Sequence, residues 1–183
     1  MAKNLTNEVV ADALARVHEL VPAVLDGLSR DDVLWRPDAG ANSIGWLIWH
    51  LTRAEDEQIA PLGERETVWE SQDFRAKFAL PYPGDAVGFG MSAADVAKFD
   101  ISSVKLLTDY SAAVAKMSRE IVANLTAADF TKIIDRSWNP PVTVAARLVS
   151  VMNEIAQHVG QAAYVRGLRE RATGRDSGWR GYV

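Results

Sequence analysis

No cysteine occurs among the 183 residues. That excludes disulfides, thiolate metal sites and a cysteine nucleophile, and it leaves the redox compartment unreadable from thiol usage. A basic excess is lacking too: 20 Lys and Arg stand against 24 Asp and Glu, a formal net charge of −4. A general nucleic-acid binder carries the opposite balance, so no nucleic-acid partner is expected. Long apolar runs are absent, and none approaches the ~18 residues of a membrane span. The opening stretch MAKNLTNEVVADALARVHEL turns charged and amphipathic at once and has no apolar signal core. No membrane contact and a cytoplasmic setting are therefore the expectations. Histidine is scarce, with 3 residues, whereas tryptophan, with 6, is not. Each histidine can be weighed singly.

At about 150 residues per domain, the length suits one domain over 1–183 with a short tail from about 174 to 183. A chain of this size buries roughly 70% of its unfolded surface and needs no covalent staples. Its pattern is helical nearly throughout. Across residues 8–28, Val9, Val10, Ala13, Leu14, Val17, Val21, Val24, Leu25 and Leu28 recur at steps of three and four, the signature of an amphipathic first helix. Ser29 and Asp32 have capping-box spacing for a short helical turn. Asn42 or Ser43 caps a second helix, SIGWLIWHLTRAEDEQIA, whose first half is apolar nearly all round and hence buried on most sides. Residues 62–100, with LPYPGDAVGFGMS inside them, suit a long loop, apart from a short helix after the Ser92 and Asp95 capping pair. A third helix is predicted from about Ser102 to Leu125. Ser137-Trp138-Asn139-Pro140-Pro141 is a sharp stop. Thr143 caps a fourth helix, about 143–172, roughly 45 Å long, and Gly174 ends it. In the tail, Trp179 and Tyr182 give an otherwise Gly-rich segment the means to dock. Four long helices and one long crossover between the second and third predict an all-α, four-helix bundle.

Chemistry-bearing residues are few. Glu154 and His158 lie one turn apart on one face of the fourth helix, amid Val151, Met152, Ile155 and Val159. A carboxylate in so apolar a stretch needs a partner. His50 occupies a similar setting on the second helix, beside Trp46, Trp49 and Leu51. If those helices face each other, His50, Glu154 and His158 form a three-ligand metal site with an open position. Spacing alone equally allows a surface Glu–His pair and hydrogen-bonded core histidines. His18 has no evident partner in sequence and reads as structural or exposed. Gly45 and Gly160, inside helices where each costs ~1 kcal/mol, permit close helix approach near a site, or serve packing only. Trp46, Trp49 and Tyr164 at helical spacing read as core more readily than as a substrate shelf. Trp138 and Trp179 suit bundle ends or a subunit contact.

The segment NSIGWLIWHL at 42–51, followed by Arg53-Ala54-Glu55-Asp56, resembles the second-helix signature of the DinB-like superfamily. EIAQHVGQ at 154–161, continuing through Tyr164-Val165-Arg166-Gly167, resembles its fourth-helix signature, and Leu34-Trp35-Arg36-Pro37 resembles its lead-in. The likeness spans about residues 8–172. It implies a four-helix bundle holding a divalent metal, zinc first and nickel or another ion next, on His50, Glu154 and His158. Many members carry histidine where this chain has Glu154; an acidic residue there keeps three ligands.

The resemblance also implies function. The superfamily includes transferases that join bacillithiol or mycothiol to electrophiles, mycothiol-dependent isomerases, and members without known activity; members are often dimers. A metal-dependent transferase is the leading expectation. A mycothiol-like thiol, deprotonated on the ion, attacks a small electrophile held near Trp46, Trp49 or Trp69. Trp46 and Arg53 are the candidate cosubstrate contacts, and Glu57 shares Arg53's face; a salt-bridged rim is the other reading of that pair. Two alternatives use the same site: a hydrolase working through bound hydroxide, and a stress-related, metal-stabilised binding module without turnover.

Overall fold

The structure, a computed structural model, describes residues 4–176 and 178–179. Its first helix, α1, runs over Leu5–Leu25, and the Asn4 side chain accepts from Thr6 N at its start. Gly27, at φ +69°, takes the left-handed conformation after it. The turn explains why Leu28 is buried without being helical. The expected capping box opens α2, Arg30–Leu34, with the Ser29 side chain and the Asp32 carboxylate each bonded to the other's backbone. Ser43, rather than Asn42, caps α3, Ile44–Ile59, by accepting from Trp46 N. The next long helices are α7, Lys105–Asn124, and α8, Val144–Thr173. Thr143 caps α8, which ends at Gly174 with φ +67°.

The stretch expected to be a loop with one short helix holds more order. It contains α4, Val68–Ser71, and α5, Phe74–Phe78, besides the expected turn α6, Ala93–Val96. Segments of four or five residues are too short to register in a periodicity argument. Phe74, Phe78 and Trp69 pack around Tyr110 of α7, with ring centroids 4.8, 5.9 and 5.4 Å away. A second departure lies before α8. The Pro-rich stop is the turn of an antiparallel hairpin, β1 (Ile133–Asp135) with β2 (Val142–Thr143). Asp135 Oδ1 accepts from both Ser137 N and Ser137 Oγ, at 2.8 and 2.6 Å, and so turns the chain. With this hairpin as the sheet of the described residues, the fold is all-α.

The helix α3 packs along α8 and α7, and α1 packs against α7 and α8. Leu14, Val21, Ile48, Leu107, Leu148 and Ile155 bring the facing stripes together, each fully buried. A side chain so buried contributes roughly 1.5–3 kcal/mol. Little of α3 is a polar face: Glu57 is exposed, but Thr52, Arg53, Glu55 and Asp56 are buried. Each has partners. Asp56 Oδ1 accepts from Val68 N at 2.8 Å, and its Oδ2 from Trp69 N at 2.8 Å and the Tyr110 hydroxyl at 2.7 Å. Burial raises the Asp56 carboxyl above its usual range against the pull of those bonds. They tie the segment after α3 to the core.

At the other end, Arg175 and Arg169 both reach Asp32 at 3.0 and 2.9 Å. Desolvation pushes the Asp32 carboxyl up, yet the bonds from Ser29, Arg175 and Arg169 prevail and hold it well below the usual carboxylate range. The Arg166 guanidinium lies over the Trp179 ring, 4.6 Å from its centroid. The start of the tail is thus docked, while Tyr182 lies outside the described residues. Among the described residues no helix is long and apolar enough to cross a membrane.

Candidate metal centre

The packing of α3 on α8 brings the three sequence-predicted ligands together. His50 Nε2 lies 3.4 Å from Glu154 Oε1, and His158 Nε2 lies 3.2 Å from the same oxygen. One ligand atom from each residue falls within 4.8 Å of the others. The two imidazoles meet edge to face, with centroids 4.6 Å apart.

The outer nitrogens decide what the inner ones can do. His50 Nδ1 makes a short hydrogen bond to the Val87 carbonyl. A carbonyl only accepts, so Nδ1 carries the proton and the neutral ring turns its Nε2 lone pair inward. His158 Nδ1 lies 2.8 Å from Gln161 Oε1, and with that amide oxygen as acceptor the same tautomer follows. The His50 Nε2 lone pair and the Glu154 carboxylate oxygen therefore face each other with no proton between them, and His158 Nε2 lies beside the same oxygen. Burial pushes the His50 ring below its usual value, which disfavours relief by protonation. A divalent cation held among these atoms would resolve the conflict. Donors around a tetrahedral ion with bonds of about 2.1 Å stand about 3.4 Å apart, and both His–Glu spacings are of that size. Two imidazoles and a carboxylate suit zinc or a neighbouring transition metal, and the outer-nitrogen bonds are the supports such ligands require.

Loop residues complete the setting. Trp46 stacks on His50, centroids 4.8 Å apart and planes 22° apart. Gly88, at φ +96°, lies against the edge of both rings; a Cβ there would lie 2.6 Å from His50 Nδ1 and 3.0 Å from Trp46 Cζ2. Only glycine lets the backbone approach the ring so closely. Sequence reasoning missed Val87 and Gly88, although the Gly-Phe-Gly run inside a long loop was the available signal. His50 and Glu154 open on a cavity of about 630 Å³, whose lining also includes Arg147, Gln58, Phe89 and Trp138. None of these four was singled out as a site residue from sequence.

Other expected residues go elsewhere. Arg53 is 1% exposed and is not among the residues lining that cavity. Its guanidinium sits 4.8 Å from the Trp69 ring centroid, donates to Glu57 Oε2 at 3.3 Å and to the Ala86 carbonyl at 3.2 Å. Glu57 does line the cavity. Trp46 and Trp49 are core residues, whereas Tyr164 is 67% exposed, contrary to expectation, because that face of α8 turns outward. Trp138 is also largely exposed rather than packed. Gly45 does mark a close approach, to Phe99 and the Val33 carbonyl, but Gly160 faces open space and serves none. His18 finds its partner in Glu55 of α3, with Nε2 3.0 Å from both carboxylate oxygens.

Over residues 9–171 the chain matches the family described as Mycothiol-S-transferase. It is similar to a solved structure, the crystal structure of a conserved protein from Enterococcus faecalis, with 31% identity and a TM-score of 0.83. That likeness covers 88% of this chain and 95% of the other. No curated protein matches the chain significantly. The chain belongs to the mycothiol S-transferase family, within the DinB-like proteins that its two helix motifs resemble.

Proposed function

We propose that this protein is a metal-dependent transferase that joins a low-molecular-weight thiol, mycothiol first, to a small electrophile. One observation carries the reading: His50, Glu154 and His158 each bring one ligand atom within 4.8 Å of the others, beside a cavity large enough for small ligands. The family points to the thiol. With no cysteine in the chain, that thiol is a cosubstrate rather than part of the protein. We further propose zinc as the ion, a cytoplasmic setting, and a four-helix bundle of α1, α3, α7 and α8 in which the connection after α3 is the crossover.

His50, Glu154 and His158 would hold the ion, which when bound supplies the Lewis acidity that makes a thiol ionise near neutral pH. Every other task falls to the chain. The Val87 carbonyl and Gln161 fix the two ring tautomers. Trp46 covers one face of His50 and the Gly88 backbone its Nδ1 edge, and both keep water from the ring there. Arg147 and Gln58 offer polar groups to the thiol's polar end. The thiol sulfur attacks the electrophilic carbon, forming a C–S bond, and the leaving group departs with the bonding pair. The thiol proton passes to solvent through the open cavity.

The test follows loss of free thiol with 1-chloro-2,4-dinitrobenzene and the zinc-loaded protein. Turnover with mycothiol that disappears on chelation and returns with zinc is the expected result. Failure with mycothiol, bacillithiol, glutathione and coenzyme A alike would overturn the proposal, and ester cleavage without thiol would put a hydrolase in its place.

A further inference from the structure

Two large rings stand in water beside the metal centre. Phe89 is 89% exposed and Trp138 is 67% exposed. Soluble proteins rarely display rings so fully, and grouped ones mark binding surfaces. The two come from unrelated parts of the chain, Phe89 from the connection before α6 and Trp138 from the β1–β2 turn. Both nevertheless line the cavity that has His50 and Glu154 in its wall. Phe89 is flanked by Gly88 at φ +96° and Gly90 at φ +71°. Trp46, Trp49 and Trp69, by contrast, are packed within the core, and none of them lines this cavity.

Charge narrows the ligand. Of the ionic groups in the cavity wall, Arg147 faces Asp135 at 3.6 Å and Glu57 faces Arg53 at 3.3 Å. The remaining one, Glu154, belongs to the ligand triad. An anionic acceptor would have to displace a partner from Arg147, whereas a neutral one need not. Flat apolar surfaces favour flat ligands, which stack on aromatic rings.

We propose that Phe89 and Trp138 are the walls of an acceptor subsite that takes a flat, uncharged aromatic electrophile. This rests on the transferase reading above, and it assigns acceptor choice to two loop side chains outside the metal triad.

The experiment is equilibrium dialysis of 1,3-dinitrobenzene, which has no leaving group, against zinc-loaded protein. Saturable binding is expected. Phe89→Ala and Trp138→Ala should each raise Kd about three- to tenfold, with zinc content and melting temperature unchanged because both side chains are exposed. Phe89→Tyr and Trp138→Phe should restore binding. Absence of saturable binding, or an unaltered Kd in both alanine variants, would overturn the subsite. Mycothiol transfer to iodoacetamide, a non-aromatic acceptor, is measured in parallel on the unsubstituted protein. Binding as expected without any transfer would defeat the transferase reading and leave the aromatic subsite standing; transfer with an unaltered dinitrobenzene Kd would do the reverse.

Discussion

Glu55 and Glu154 each meet histidine across a helix interface, and they do so in opposite ways. Between α1, α3 and α7, Glu55 is buried, takes a hydrogen bond from the Ser118 hydroxyl at 2.6 Å and faces His18 Nε2 at 3.0 Å. Donors answer acceptors there: one O–H and one N–H meet one carboxylate. Between α3 and α8, two Nε2 atoms aim at a single oxygen of Glu154, and the His50 ring has spent its proton on the Val87 carbonyl. The His50 lone pair and the carboxylate oxygen face each other unanswered, and the group borders a cavity. Residue type and burial do not separate these two arrangements. What separates them is which nitrogen of each ring is already committed, since a satisfied group stabilises a fold and an unsatisfied one awaits a ligand.

The comparison breaks most sharply at the ligands. His50→Ala or His158→Ala should each lower zinc affinity by about 300-fold, because three ligands share a binding free energy on the order of 10 kcal/mol. Competition with a chromophoric chelator reads this directly. Affinity unchanged from that of the unsubstituted protein in both variants would reduce the second arrangement to another hydrogen-bonded pair. A smaller effect of another kind is expected in the first region. His18→Ala leaves Glu55 buried without its imidazole and should cost about 3 kcal/mol of folding stability, measured by urea unfolding of the metal-free protein. Zinc affinity should stay where it was; a parallel loss would mean that the two regions act as one.

The long elements and the triad were legible for physical reasons. Helices of sixteen residues or more repeat their apolar stripe often enough to be recognised, as α3 and α8 do. Glu154 and His158 share a face by spacing alone, and the resemblance of both helices to one family joined His50 to them. Partners in the connections were not legible. Val87 lies 37 residues from His50 and Glu55 lies 37 from His18, and no local pattern records such pairings. Arg53 reads as a surface or ligand-binding charge in sequence, yet Trp69, Glu57 and Ala86 hold it in the core. Tyr164 fails in the other direction: helical spacing suggests core, while the side of α8 it occupies is open.

Gly88 offers the finest cut between the two regions. Its φ of +96° is strained for any L side chain, and a Cβ would intrude to 2.6 Å from His50 Nδ1. Gly88→Ala must therefore move the backbone away from the ring, and the adjoining Val87 carbonyl moves with it. His50 then loses the acceptor that keeps its proton on Nδ1, and Nε2 no longer presents a lone pair by default. Zinc affinity should fall about 10- to 100-fold, the usual consequence of removing a ligand's outer hydrogen bond. Backbone strain alone would also destabilise the fold, so the control is Gly27→Ala, at φ +69° with open space around the added Cβ. Gly27→Ala should lower stability and leave zinc binding intact. A matching loss of affinity in both variants would trace the effect to strain in general; a loss in Gly88→Ala alone places it in the contact between one glycine and one imidazole.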